Sequence, residues 1–122
     1  MSFESDLYAV LSGAAGLTAL VGARIVPSHE PSPVAPYVVY TPVFGGNLYV
    51  LSGASDMERV RVQVDCYAED TDTAAAIALA VIAAIPQTGS FCRTGHSNQD
   101  LGLEENTRLY RRMCEFSIFR RT

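Results

Sequence analysis

The stretch from Arg59 to Ala68 constrains this chain more than any other. Val60, Val62, Val64, Cys66 and Ala68 alternate with Arg59, Arg61, Gln63, Asp65 and Tyr67. Successive strand side chains point to opposite faces, so the alternation predicts a strand with one buried and one polar face. That is the pattern of an antiparallel sheet covered on one side. Directly after it, Asp70-Thr71-Asp72 opens a helix expected over Thr73 to Ile85 and closed by Pro86. Its alanines at 74, 75, 76, 78, 80, 83 and 84 supply helix propensity. Ile77, Val81 and Ile85 form one apolar face, which Leu79 and Ile82 broaden. After Asp72 this helix carries no charge, so it requires cover on more than one side, from the first helix or from a neighbouring subunit.

Other elements follow from local signals. Ser2 can cap a first helix whose opening turn holds Glu4 and Asp6, where negative charge suits the helix dipole. Phe3, Leu7, Val10 and Leu11 give it an apolar stripe, and Gly13 stops it. A shorter helix covers Ala15 to Val21, and Arg24 to Val26 forms a short strand. Pro27, Pro31, Pro33 and Pro36 make the next stretch extended and poor in donors. A strand then runs from Tyr37 to Phe44, where Pro42 implies an edge position or a bulge. Gly45 to Met57 is irregular, with an apolar island at Leu48, Tyr49, Val50 and Leu51. That island is either a hairpin arm packed on its own domain or a contact arm for a neighbour. Ser90 to Ser97 reads as strand and Asn98 to Asn106 as a polar loop. The last strand, Arg108 to Arg120, sets Tyr110, Cys114, Phe116 and Ile118 against Arg111, Glu115 and Ser117 on the other face.

This order gives an α+β fold: a two-layer sandwich with a mainly antiparallel sheet and two main helices packed on one face. The 122 residues suit a single domain spanning 1–122.

Charge and cysteine content narrow the function. Nine basic residues stand against thirteen acidic ones, a net charge of -4, so there is no general attraction to nucleic acid or an anionic membrane. All nine are arginine. Arginine suits fixed bidentate contacts to carboxylates, although genomic base composition explains the same usage. Cys66, Cys92 and Cys114 are odd in number and widely spaced, which predicts reduced thiols rather than a disulfide framework or zinc knuckle. The acidic N-terminus does not read as a signal peptide, and the longest apolar run, Ala74 to Ile85, is too short to span a bilayer.

Motifs for chemistry are missing. Ser28, His29 and Asp65 make a triad only on paper, with no nucleophile elbow to orient it. Cys92 and His96 lie about 13 Å apart in an extended strand and do not converge on a metal. Gly45-Gly46 is no phosphate loop, and the chain has no lysine to serve one. The expectation is no enzyme activity, cofactor or metal. What remains is the polar sheet face. Arg59, Arg61 and Asp65 on one strand and Arg111 and Glu115 on another either pair with each other in a solvated face or meet carboxylates of a second subunit. With Leu48, Tyr49, Val50 and Leu51, these are the candidate assembly residues.

Several segments, in order, resemble the phage tail-completion and tail-terminator family, which includes small prophage tail-head joining proteins. They are Gly16-Leu17-Thr18-Ala19-Leu20-Val21-Gly22 before Arg24-Ile25, Pro36-Tyr37-Val38-Val39-Tyr40, and Leu51-Ser52-Gly53. Val62-Gln63-Val64-Asp65-Cys66-Tyr67-Ala68 before the alanine-rich helix is the most specific, and Leu109-Tyr110-Arg111-Arg112 with Phe116-Ser117-Ile118 closes the series. The proline-rich stretch 27–36 departs from that pattern. The resemblance implies an α/β sandwich that assembles into rings, usually hexamers, terminating the tail tube and joining it to the head connector. It implies as partners the protein itself, the tail tube protein and the head-tail connector protein, with DNA passing through the pore unbound. It implies a place in the virion tail, after assembly in the bacterial cytoplasm. Two other readings remain open: a head-completion or connector protein, and a small ligand-binding module with a pocket between helices and sheet.

Overall fold

A computed structural model describes residues 3–27, 34–50, 53–105 and 108–121, with backbone alone at 44–50, 53–58 and 121. The elements are α1 (Phe3–Ser12), α2 (Ala15–Val21), β1 (Ile25–Pro27), β2 (Tyr37–Val50), β3 (Gly53–Ala68), α3 (Thr71–Ala84), β4 (Phe91–Glu104) and β5 (Leu109–Arg121). The strands form one sheet in the order β1-β2-β3-β5-β4. β1 runs parallel to β2, and every other neighbouring pair is antiparallel. α3 carries the chain from the end of β3 back over the sheet, so β4 lands on the far edge and β5 fills the place beside β3.

The alternation in β3 sets the layers. Val60, Val62, Val64, Cys66 and Ala68 are all buried, as are Val38 and Tyr40 of β2 and Cys114, Phe116 and Ile118 of β5. Register confirms the shared face, since Val64 lies between Tyr40 and Cys114. Phe3, Leu7 and Leu11 of α1, Leu17 and Val21 of α2, and Ile77, Ala78 and Val81 of α3 close that face. Each fully buried leucine or valine contributes about 2 kcal/mol through apolar area removed from water. The α+β sandwich with helices on one face is therefore the observed architecture.

Local chemistry explains the boundaries. Asp70 is the N-cap of α3: its carboxylate accepts from the Thr73 backbone N–H at 2.7 Å and from the Thr73 hydroxyl at 3.0 Å. The helix therefore begins at Thr71, two residues before its expected start. Gly22 ends α2 at a φ of 61°, a left-handed turn open to a residue without Cβ, and its N–H donates to Thr18 O at 2.8 Å. Ser2, the expected cap of α1, lies outside the described residues. α1 and α2 both pack against α3, but only along part of its girdle, and Leu79 remains 63% exposed.

Two expectations change. Over 45–50 and 53–57 the chain is not irregular: β2 and β3 continue there as paired antiparallel strands, with register shifts between Phe44, Asn47 and Tyr49. The polar stretch from Asn98 is not a loop either, because β4 continues to Glu104. Bulges between Arg93 and Gly95 and between Asp100 and Gly102 break its alternation, and as an exposed edge strand it needs no apolar face. At the second bulge Gly102 has a φ of 73°, and its N–H donates to Asp100 Oδ1 at 2.9 Å. Pro42 fits the edge expectation, because β1 ends opposite Tyr40 and leaves that side of β2 without a strand among the described residues.

Candidate functional site

The face of the sheet away from the helices holds the candidate residues. Register places Tyr37, Tyr67 and Arg111 in one row across β2, β3 and β5. Val39, Asp65 and Met113 form the next row, then Thr41, Gln63 and Glu115, then Val43, Arg61 and Ser117. Among the described residues no helix covers these rows.

The charges on this face pair within the chain. Arg61 Nη2 lies 3.2 Å from Glu115 Oε2 in an exposed diagonal pair. Arg111 donates through Nε at 3.0 Å to Asp65 Oδ1, with Nη2 at 2.9 Å from the same oxygen. Gln63 Nε2 donates to Asp65 Oδ2 at 3.0 Å, and Arg111 Nη1 stands 3.9 Å from Glu104 Oε2. Although Asp65 lies on the polar face, it is only 5% exposed. Long neighbouring side chains cover it, and a buried carboxylate needs the donors they bring. Desolvation works against the charge of Arg111, but its hydrogen bond and charge contact with Asp65 hold its pKa above the ordinary value.

Beside this pair, Tyr67 stacks on Tyr37 with ring centres 4.8 Å apart, and the Arg111 guanidinium lies 5.9 Å from the Tyr67 ring centre. Burial pushes the Tyr67 hydroxyl up to about 12, with the positive charge of Arg111 pulling the other way. The tyrosine pair was missed in the sequence, where each residue belongs to a separate strand. Its only signal is that both lie at the ends of strands joined as a hairpin.

Of the other candidates, Arg59 is exposed, and no ion pair reaches it among the described residues. Leu48, Tyr49 and Val50 belong to the β2 end of the hairpin, where only the backbone is described, and Leu51 lies outside the described residues. Two shallow hollows flank the Arg61–Glu115 pair. One, of about 200 Å³, is lined by Arg61, His96, Ser97, Glu115 and Ser117, and the other, of about 160 Å³, by Val43, Arg61, Gln63 and Glu115. Both open on the sheet face rather than between helices and sheet.

Residues capable of chemistry are dispersed. Ser28 and His29 lie outside the described residues, and Asp65 is already occupied by Arg111 and Gln63. His96 Nδ1 lies 2.8 Å from Arg93 Nη1 and so accepts from it. No group of three or more His, Cys, Asp or Glu converges among the described residues. The thiols of Cys66, Cys92 and Cys114 are free, and Cys66 is held well above its usual pKa by a hydrogen bond with Cys114 and by burial. No helix among the described residues is long and apolar enough to cross a membrane.

Among the described residues the sheet face is uncovered and holds no convergent cluster, and comparison with known families supplies the identification. Residues 5–120 match the family described as Tail completion protein gp17. The chain belongs to this phage tail-completion family. Membership makes it a phage tail structural protein. Its fold is similar to that of a chain in the virion of a native gene transfer agent (GTA) particle, with a TM-score of 0.70 and 22% sequence identity. That likeness covers 97% of this chain and 93% of the other, and at this identity it is a likeness of fold. No curated protein sequence matches this one.

Proposed function

We propose that this protein folds as one tail-terminator-like domain over residues 1–122 and that identical copies close into a ring, six in the number the resemblance implies. The ring ends the growing tail tube and joins it to the head connector. The tail-completion match over residues 5–120 carries this reading. A head-to-tail contact closes into a ring when its rotation fits and grows into a filament when it does not. A closed ring at the tube end blocks further tube subunits. The net charge of -4 suits a pore through which DNA slides, since clustered cations would hold its phosphates.

In this reading the open sheet face and the apolar segment 48–51 supply the contacts of the ring. Arg59 and Arg61 then meet carboxylates of the next subunit, with Arg61 shared between that partner and Glu115. Native mass spectrometry and electron microscopy of the purified protein test the ring. Arg59→Glu and Arg61→Glu are expected to keep the far-ultraviolet spectrum and lose ring formation. Unchanged rings remove this face from the interface. In the phage, loss of the protein is expected to give tails of irregular length that fail to join heads, and normal tails on normal heads would end the proposal.

A further inference from the structure

The two edges of the sheet differ in length. β4 is an edge strand of 14 residues, paired with β5 along one side. At the opposite side β1 is only 3 residues long, and its last pair is Pro27 with Tyr40. From Thr41 to Val50, β2 therefore has no strand on its outer side among the described residues. No charged residue occurs between Glu30 and Asp56, so this bare edge carries none of the charges that usually keep edge strands apart. A long, uncharged edge is a template for another strand, and β4, although it carries Arg93, Asp100 and Glu104, offers a second long edge on the opposite side of the molecule.

Strand direction makes them complementary. β2 is antiparallel to β3, β3 to β5 and β5 to β4, so β2 and β4 point in opposite senses. Rotation about a ring axis preserves the sense of each strand along that axis. β4 of one copy thus meets β2 of the next in antiparallel orientation, and one contact satisfies both edges. Bulges in β2 and in β4 add the local bend that a sheet needs to curve and close.

We infer that β4 of one copy pairs with the Thr41–Val50 edge of β2 in the next, continuing the sheet around the ring. This deepens the ring reading and rests on it. Within one chain β2 and β4 are separated by β3 and β5, about 14 Å at the usual strand spacing. A disulfide requires Cα atoms closer than about 7 Å, so any link between these strands joins two copies.

The test places Val43→Cys with Ser97→Cys, or with Gln99→Cys, in a Cys92→Ser background. All three positions are exposed on the same sheet face. Mild oxidation of assembled protein is expected to give, in at least one double variant, a covalent ladder rising by one chain mass to the ring number. Each single variant stays monomeric on a denaturing gel. Wild-type rings with no ladder from either double variant would overturn the edge contact and leave the ring reading standing. Dimers from a single variant would overturn it in favour of two-fold pairing. If wild-type protein forms no rings and no ladder appears, both readings fail.

Discussion

Replacing Arg111 by alanine strands Asp65, whose side chain is only 7% exposed. Its Oδ1 loses both guanidinium contacts, at 2.9 and 3.0 Å, and Gln63 alone still donates, to Oδ2. Removing one partner of a buried pair costs about 3–5 kcal/mol, and the surviving Gln63 contact favours the low end, about 3 kcal/mol. For a domain of this size that lowers the melting temperature by about 12 °C. The reverse change, Asp65→Asn, leaves Arg111 28% exposed, with Glu104 3.9 Å away and the Tyr67 ring beneath it. A cation that can reach water loses little, so this change costs about 1 kcal/mol. Urea denaturation of both single variants and the double variant, with protein concentration held constant, gives a double-mutant cycle. The expected order is Arg111→Ala well below Asp65→Asn, with the double variant less destabilised than the sum. Equal costs, or simple addition, would refute the view that the pair is an internal clasp. Unchanged stability with lost assembly would assign both residues to the contact between subunits.

Three further outcomes follow from the same structure. Leu7→Ala in α1 removes a fully buried leucine at the helix-sheet junction and is expected to cost about 3 kcal/mol in urea denaturation, whereas a loss below about 1 kcal/mol would show that α1 packs loosely. Tyr67 loses its proton later in the folded than in the unfolded chain, so its contribution is complete below about pH 10 and lost as pH rises toward 12; in an alkaline melting series Tyr67→Phe should flatten that part of the curve, and an identical curve would refute the assignment. Asp70 is held below its ordinary value by the Thr73 N–H, so its cap acts above about pH 4 and fades as pH falls through the lower folded value; Asp70→Ala should lower the melting temperature at pH 7 and converge with wild type in acid.

Much of the fold was legible because it depends on neighbours in sequence. The Val60–Ala68 alternation marked the buried face, and every one of its five apolar residues is buried. Asp70-Thr71-Asp72 marked the start of α3 to within two residues, and Gly13 and Gly22 marked the ends of α1 and α2. Period and capping act within a few residues, so a linear reading detects them. The same locality explains why the first part of β4 reads as strand and the stretch from Asn98 as a loop: bulges interrupt its alternation, and β5 supplies the ladder that extends it.

The candidate site was legible in its residues but not in their pairing. The sequence by itself determined that Arg61, Asp65, Arg111 and Glu115 share a face opposite the core, because strand alternation leaves them no other place. It did not determine that Asp65 is buried under Arg111, a contact across 46 residues, or that Asp6 of α1 meets Arg120 of β5 at 2.9 Å across 114. The order β1-β2-β3-β5-β4 decided both, together with which strand edges stay bare among the described residues. Strand order depends on how helices and sheet bury their apolar faces together, a free energy of the whole chain that no local window contains.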